Sequence, residues 1–375
     1  MAAISSMCQL KCRKLVGVLI LLMCSIAHYV DARIPSQFAQ KPAAPEEESR
    51  EVVVLSIESA KDQLQKIQNP STSFLAQPGG TRKLSFLVPS PAVILPYHNG
   101  VILSGAQEIE VYIIWYGTFS AAQKGPIVDF FSSFSSPGTA ETLSPSVASW
   151  WKVTSGYKDS AGLPVSPTVK LAGQQELDYV MGKALKDSDI QSMVVNSLAI
   201  FPVNYNAMYL VLTADDVTVG DFCKSSCGSH WATTPSPTTK GQQLPFAWVG
   251  NSASQCPGFC AWPYAKPTYG PQDEPLVAPN GDVGVDGMII TIGQILAGVA
   301  TNPFDTGFYD GDASAPVEAS TACTGIYGVG AFPGYPGQLL VDPITRASYN
   351  ANGANGRQFL LPALWDPVTL ACLSP

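Results

Sequence analysis

Glu108–Tyr116 reads EIEVYIIWY, and Ala207–Thr213 further on reads AMYLVLT. Both runs are rich in β-branched and aromatic residues, the composition of buried strands. Val169–Ala172 and Phe246–Val249 read as further strands, and helical spacing of apolar residues is found between them. The expected helices are Pro126–Phe134, Pro145–Lys152, Leu177–Leu185 and Asp187–Leu198. Strands alternating with helices predict an α+β or α/β single globular domain rather than a sandwich. Val285–Ala300 (VDGMIITIGQILAGVA) is the most apolar helix candidate. It should stop at Asn302-Pro303, because proline disfavours the helical conformation in the residue before it. Residues 304–375 are rich in Gly, Tyr and Pro and read as a loop-dominated cap, so the C-terminal half is expected to be loop-rich.

Composition agrees with a turn-rich globule. The chain has 375 residues, with 46% hydrophobic, only 13% charged, 32 Gly and 31 Pro. The charged share is about half the usual ~25%. Formal charge is −8. A net-negative chain has no basic field to draw in phosphate backbones, so no nucleic-acid partner is expected.

Lys11, Arg13 and Lys14 precede an apolar run from Leu15 to Ala27, and Val30-Asp31-Ala32 follows. A basic segment, a short apolar core and a small-residue cleavage site read as a secretory signal peptide over residues 1–32. The apolar run is shorter than the roughly 20 residues that span a bilayer. The protein is therefore expected outside the cell, with no stable membrane insertion after cleavage. Residues 33–92, with Lys41-Pro42-Ala43-Ala44-Pro45 and Glu46-Glu47-Glu48, read as a flexible arm or pro-region ahead of a globular domain at 93–375.

Six cysteines follow the signal segment: Cys223, Cys227, Cys256, Cys260, Cys323 and Cys372. An even number in an oxidising compartment implies three disulfides, with fifteen connectivities open. The pairing expected here joins the two CxxxC segments to each other and Cys323 to Cys372. Zinc on the four clustered thiolates is the alternative, and secretion argues against it.

Beyond the signal segment the only histidines are His98 and His230, so a three-histidine metal site is impossible. No G-x-S-x-G elbow occurs there and no cysteine is left free for nucleophilic catalysis. No catalytic residue, metal or cofactor is expected. His98 in a Tyr-His-Asn-Gly turn, His230 beside the cysteine-rich segment, and Trp262 are the candidate surface or binding positions. Trp150, Trp151, Trp248 and Trp365 are also of a type that stacks on sugar rings. A glycosidase would need two carboxylates on facing surfaces. Asp215, Asp216, Asp282, Asp286, Asp305, Asp310 and Asp312 are candidates by residue type, but Asp and Gly also dominate turns.

Several ordered segments resemble the plant EXORDIUM, or phosphate-induced protein, family. They include Tyr97–Gly100, Ile113–Gly117, Pro145–Trp151, Trp248–Asn251 and Gln255–Pro263. Tyr269–Gln272, Val283–Met288, Leu296–Phe304, Ala322–Gly325 and Leu360–Leu364 complete the set, so the resemblance covers roughly residues 92–375. Asp221–His230 resembles the family's cysteine segment, and Trp231-Ala232 after it departs from the family pattern. The resemblance implies a secreted protein of the apoplast or cell wall that promotes cell expansion and growth, in part downstream of brassinosteroid signalling. It supplies no reaction. The function expected is therefore non-catalytic binding of an apoplastic protein or wall polysaccharide; the alternative is a wall-acting hydrolase using paired carboxylates. A more distant similarity links the helix before Thr301-Asn302-Pro303 to secreted zinc peptidases. It implies a zincin-like fold whose site is degenerate, because Gln294, Ile295 and Gly298 stand where the ligands and general base would be.

Overall fold

Burial explains why the two opening segments are strands. In β1 (Ile109–Tyr116) every residue but Glu110 is buried. The computed structural model describes residues 93–134 and 143–375, which fall in one compact unit. The expected signal peptide (1–32) and arm (33–92) lie outside the described residues. After β1 come α1 (Ala121–Ser132), α2 (Val147–Trp151), β2 (Val169–Leu177), β3 (Ala184–Leu185) and α3 (Asp187–Ser197). Then follow β4 (Ala207–Thr213), β5 (Thr218–Val219), β6 (Gly228–Ala232), β7 (Pro245–Gly250), α4 (Pro257–Cys260) and α5 (Val283–Thr301).

The main sheet has the order β2-β1-β4-β7-β6. The first four strands are parallel, and β6 runs antiparallel to β7 at the edge. β4 and β7 are buried at every position, as central parallel strands covered on both faces should be. β2 instead alternates partly buried and exposed residues along an edge, and its Lys170 and Glu176 keep that edge polar.

α5 packs against β6 and β7. Its N-terminus is capped by Asp282, whose Oδ1 accepts the Val285 N–H at 3.1 Å, satisfying one of the orphan donors of the first turn. The helix is 19 residues long and apolar enough by length and composition to cross a membrane, yet most of it is buried inside the domain. Glycine on α5 permits close packing: a Cβ at Gly287 would stand 2.7 Å from the Cβ of Ala261.

The structure forms a mixed α/β domain with three disulfides, Cys223–Cys256, Cys227–Cys260 and Cys323–Cys372. The first two tie the approach to β6 onto α4. The third pins the C-terminal hairpin of Leu364–Asp366 and Ala371–Leu373 to the short 3-10 turn at Thr321–Cys323.

Two sequence expectations need correction, and a third gains no support. Leu177–Leu185 is not a helix: β2 ends at Leu177, a turn follows, and Ala184–Leu185 is β3. Val180 and Met181 are exposed while Leu177, Tyr179 and Leu185 pack on the core, so the apolar residues of that segment do not share one helical face. Its backbone is held by a side chain, with Met181 N–H donating to the Tyr116 hydroxyl and that hydroxyl donating to Gly182 O, both at 2.8 Å. α1 begins before Pro126, because Ser120 and Gln123 form a reciprocal capping box. The zincin-like expectation gains no support: among the described residues no three His, Cys, Asp or Glu side chains converge to hold a metal ion.

Candidate functional site

Two adjoining clefts lie where β6, α4, α5 and the C-terminal cap meet. The first is organised by His230, in the middle of β6. His230 Nε2–H donates to Glu318 Oε2 at 2.9 Å, and both side chains are about nine-tenths buried. The other carboxylate oxygen, Oε1, accepts from Asn302 Nδ2 at 2.7 Å. Asn302 follows the last residue of α5, so the helix terminus positions the carboxylate. Glu318 is fixed from its own loop as well, since its backbone N–H donates to Thr321 Oγ1 at 2.7 Å.

Gly298 on α5 makes room for this pair. A Cβ there would stand 2.7 Å from Glu318 Oε2 and 2.9 Å from His230 Nε2. Burial by itself would lower the His230 pKa, but the charge and hydrogen bond of Glu318, with the charge of Asp305, outweigh it and raise it. Burial also raises the Asp305 carboxyl, Glu318 adds to that rise, and His230 opposes it.

The cleft encloses about 720 Å³, and its polar lining includes Ser226, Ser229, Gln294, Asp305 and Thr321. Gln294 and Ile295 line this cleft and Gly298 backs it, so the positions singled out by the peptidase similarity do gather here, without a set of metal ligands. Chemically the arrangement is a satisfied histidine–carboxylate pair. Both Glu318 oxygens are occupied, which leaves Asp305 as the carboxylate open to a ligand.

The second cleft is aromatic. Trp262 rests on a small core of Tyr264, Ile290, Tyr327 and Leu360, with its ring 5.8 Å from that of Tyr327. Around it stand Phe259, Tyr269 and Phe332, together with Pro267 and Pro271. Tyr269 is 85% exposed and Phe332 62% exposed. This compartment holds about 660 Å³ and has no charged side chain in its lining. A second compartment of about 290 Å³ shares Trp262, Pro267, Pro271 and Gly334 with it, and adds Asp273 and Glu274. Phe259, on α4, lines both the aromatic cleft and the His230 cleft.

Two of the three candidate positions therefore come close together, His230 in one cleft and Trp262 in its neighbour. His98 lies elsewhere, with its ring stacked on Tyr309 at 3.9 Å and its Nε2 3.1 Å from the Tyr309 carbonyl. Trp150, Trp151, Trp248 and Trp365 are buried core residues and are not open to a sugar ring. Among the candidate carboxylates, Asp216 pairs with Lys183, Asp282 caps α5 and Asp286 is buried. Asp312 is bound within its own turn, accepting from Ser314. Sequence reasoning missed Phe259, Tyr269 and Phe332. The available signal was large aromatic residues set among Gly and Pro, where no regular element offers them a core.

Residues 95–375 match the family defined by the phosphate-induced protein 1 conserved region. The chain belongs to that family. It is 48% identical over 297 residues to Protein PHOSPHATE-INDUCED 1 of Nicotiana tabacum, covering 78% of this chain and 92% of that protein. It is also 48% identical over 297 residues to Protein EXORDIUM of Arabidopsis thaliana, with the same coverage. Protein EXORDIUM-like 2 of Arabidopsis thaliana is 46% identical over 289 residues, covering 76% of this chain and 91% of that protein. No solved structure matches the chain. Two segments that carry the resemblance to the EXORDIUM and phosphate-induced proteins, Gln255–Pro263 and Tyr269–Gln272, build one wall of the aromatic cleft. A third, Leu296–Phe304, contributes Gly298 and Asn302 to the histidine–carboxylate pair.

Proposed function

We propose that this member of the phosphate-induced protein 1 family is exported and acts outside the cell by non-catalytic binding. The partner would be an apoplastic protein or a wall polysaccharide, and the outcome would be cell expansion and growth, linked in part to brassinosteroid signalling. One observation carries the reading: an open, uncharged cleft presenting Trp262, Tyr269 and Phe332 to solvent. Aromatic surface of this kind is costly to leave in water and is commonly a binding site. Three disulfides accord with an oxidising compartment, and the six cysteines are used up in them.

The hydrolase reading has one point in its favour, because Asp305 and Glu318 line the same cleft. Against it, Glu318 is held by His230 and Asn302 and is not free to move a proton to a substrate. Co-sedimentation of the purified, disulfide-intact protein with plant wall material tests the proposal. The expected result is saturable retention that falls at least tenfold in Phe332→Ala, a solvent-facing change. Retention equal to that of an unrelated acidic protein, or unchanged in the variant, would overturn it.

A further inference from the structure

The aromatic cleft has a chemistry more selective than an apolar patch. Its walls are rings: Trp262, Tyr269 and Phe332 face a groove floored by Pro267 and Pro271. The loop carrying Tyr269 is braced, since Gln272 Nε2 donates to the Pro267 and Gly270 carbonyls, each at 3.1 Å. The facing wall is a tight turn, with Phe332 N–H donating to Tyr335 O at 3.0 Å and Tyr335 N–H to Phe332 O at 2.8 Å. The walls touch where Gly334 (φ 89°) meets Pro271; a Cβ on Gly334 would stand 2.7 Å from the proline ring. The platform is therefore preformed.

Its side-chain polar groups are the Trp262 indole N–H, which can only donate, and the hydroxyls of Thr268, Tyr269 and Thr324. The Trp262 indole N–H and the Tyr269 hydroxyl make no hydrogen bond among the described residues. No carboxylate or amide side chain lines the first compartment. A sugar presents hydroxyls that both donate and accept, and it would find none of the carboxylate or amide side chains that fix several hydroxyls at once. A polyproline II segment needs donors alone. It has no internal hydrogen bonds, so its carbonyls require donors, and its proline rings stack on aromatic faces.

Charge adds a direction. The second compartment continues the groove past Trp262 to Asp273 and Glu274. Glu274 pairs with Lys266 at 3.0 Å, whereas Asp273 makes no ion pair or hydrogen bond among the described residues. A cationic side chain beside the proline run would meet a free carboxylate at that end.

We propose that the Trp262–Tyr269–Phe332 groove binds a proline-rich, polyproline II segment of a partner protein, with a lysine or arginine of that segment seated at Asp273. This rests on the binding reading above and names the partner class for it.

The test is calorimetric titration of the purified, disulfide-intact protein with two probes. One is a lysine-flanked decaproline; the other is a lysine-flanked Gly-Ser peptide of equal length, which does not hold the extended helix. The expected result is decaproline affinity at least tenfold above the Gly-Ser peptide. Tyr269→Ala, a change at an exposed ring, should lose at least fivefold. Trp262→Phe keeps a ring but removes the indole donor, and should lose a few-fold. Asp273→Asn should weaken the lysine-flanked decaproline a few-fold while leaving an uncharged decaproline unchanged. Equal affinity for both peptides, no binding of either, or no effect of Tyr269→Ala would overturn the proposal. A parallel titration with soluble xyloglucan separates the two readings. Binding of the glucan alone, lost in Tyr269→Ala, would overturn the proline-rich partner while leaving non-catalytic wall binding intact. Failure of wall retention in the co-sedimentation assay would remove both.

Discussion

Replacing Asp286 by asparagine should flatten the pH dependence of stability between about pH 4 and pH 7. Asp286 lies in the first turn of α5 with 2% of its surface exposed. Its oxygens accept two bonds from Asn280, from Nδ2 at 2.6 Å and from the backbone N–H at 3.0 Å. Burial is the largest influence and pushes the carboxyl up; the Asn280 bonds and the Arg357 charge pull it down, and Asp282 pushes it up again. Burial wins, and the pKa rises from 3.8 to about 7.

A raised pKa in the folded state means that the native protein binds the proton more tightly than the unfolded chain. The stability it contributes is complete below the unfolded value and is lost as pH rises through about 7. At ~1.4 kcal/mol per pH unit, a rise of about three units is worth roughly 4 kcal/mol across the whole window. Between about pH 5.5 and pH 8 the expected loss is about 2 kcal/mol.

Urea unfolding of wild type and Asp286→Asn at those two pH values reads this directly, with disulfides kept intact. Wild type should lose about 2 kcal/mol more than the variant on going to the higher pH. The variant should also start lower, because its amide turns one N–H toward an Asn280 donor. His230 and Asp305 contribute to its residual slope, since a raised pKa likewise stabilises at low pH and ceases to do so as pH rises through the folded value. An equal pH dependence in the two proteins would refute the reasoning: the carboxyl would then be ionised throughout, with the Asn280 bonds outweighing burial.

Glu318→Gln removes the anion that holds His230 up, so burial should carry the His230 pKa below its ordinary value. Titration of the imidazole carbon resonances checks this, and an unmoved or raised value contradicts it. Gly298→Ala places a methyl group against both members of the pair and should cost about 1–3 kcal/mol by overpacking, measured by urea unfolding; an unchanged midpoint would show that the pair can retreat. Removing Cys323–Cys372 as a double serine variant opens a loop of sequence separation 49, expected to cost about 4 kcal/mol from unfolded-chain entropy. The neighbouring bridges Cys223–Cys256 and Cys227–Cys260 run between the same two segments. Deleting one of them should cost clearly less, because the other still closes the loop, and equal costs on unfolding would contradict this.

Much of the sheet was legible because burial on both faces writes itself as an uninterrupted apolar run. That is why Glu108–Tyr116, Ala207–Thr213 and Phe246–Val249 coincide with β1, β4 and β7, and why Val285–Ala300 reads as the core helix. β6 escaped because Gly228–Ala232 (GSHWA) is a half-buried edge strand with no period-2 contrast. Its partner β7 supplies the hydrogen bonds that its own sequence does not advertise. The Leu177–Leu185 error has a related origin: a segment with helical spacing was held as a turn by a distant side chain, the Tyr116 hydroxyl. For the site, residue types were readable and their convergence was not. His230 and Glu318 are 88 residues apart in sequence, and only the packing of α5 against β6 brings them together. Trp262 was readable as a candidate, and the burial of Trp150, Trp151, Trp248 and Trp365 in the core is what separates it from the other tryptophans of sugar-stacking type.

The most direct measurement of the central claim is a mass balance on defined plant wall material incubated with the purified protein. Protein retained on the solid phase and sugars or peptides released into solution are counted in the same tube. Non-catalytic binding predicts saturable retention that depends on Phe332 and a released fraction indistinguishable from the protein-free control. Release that grows with time and scales with protein amount would contradict it.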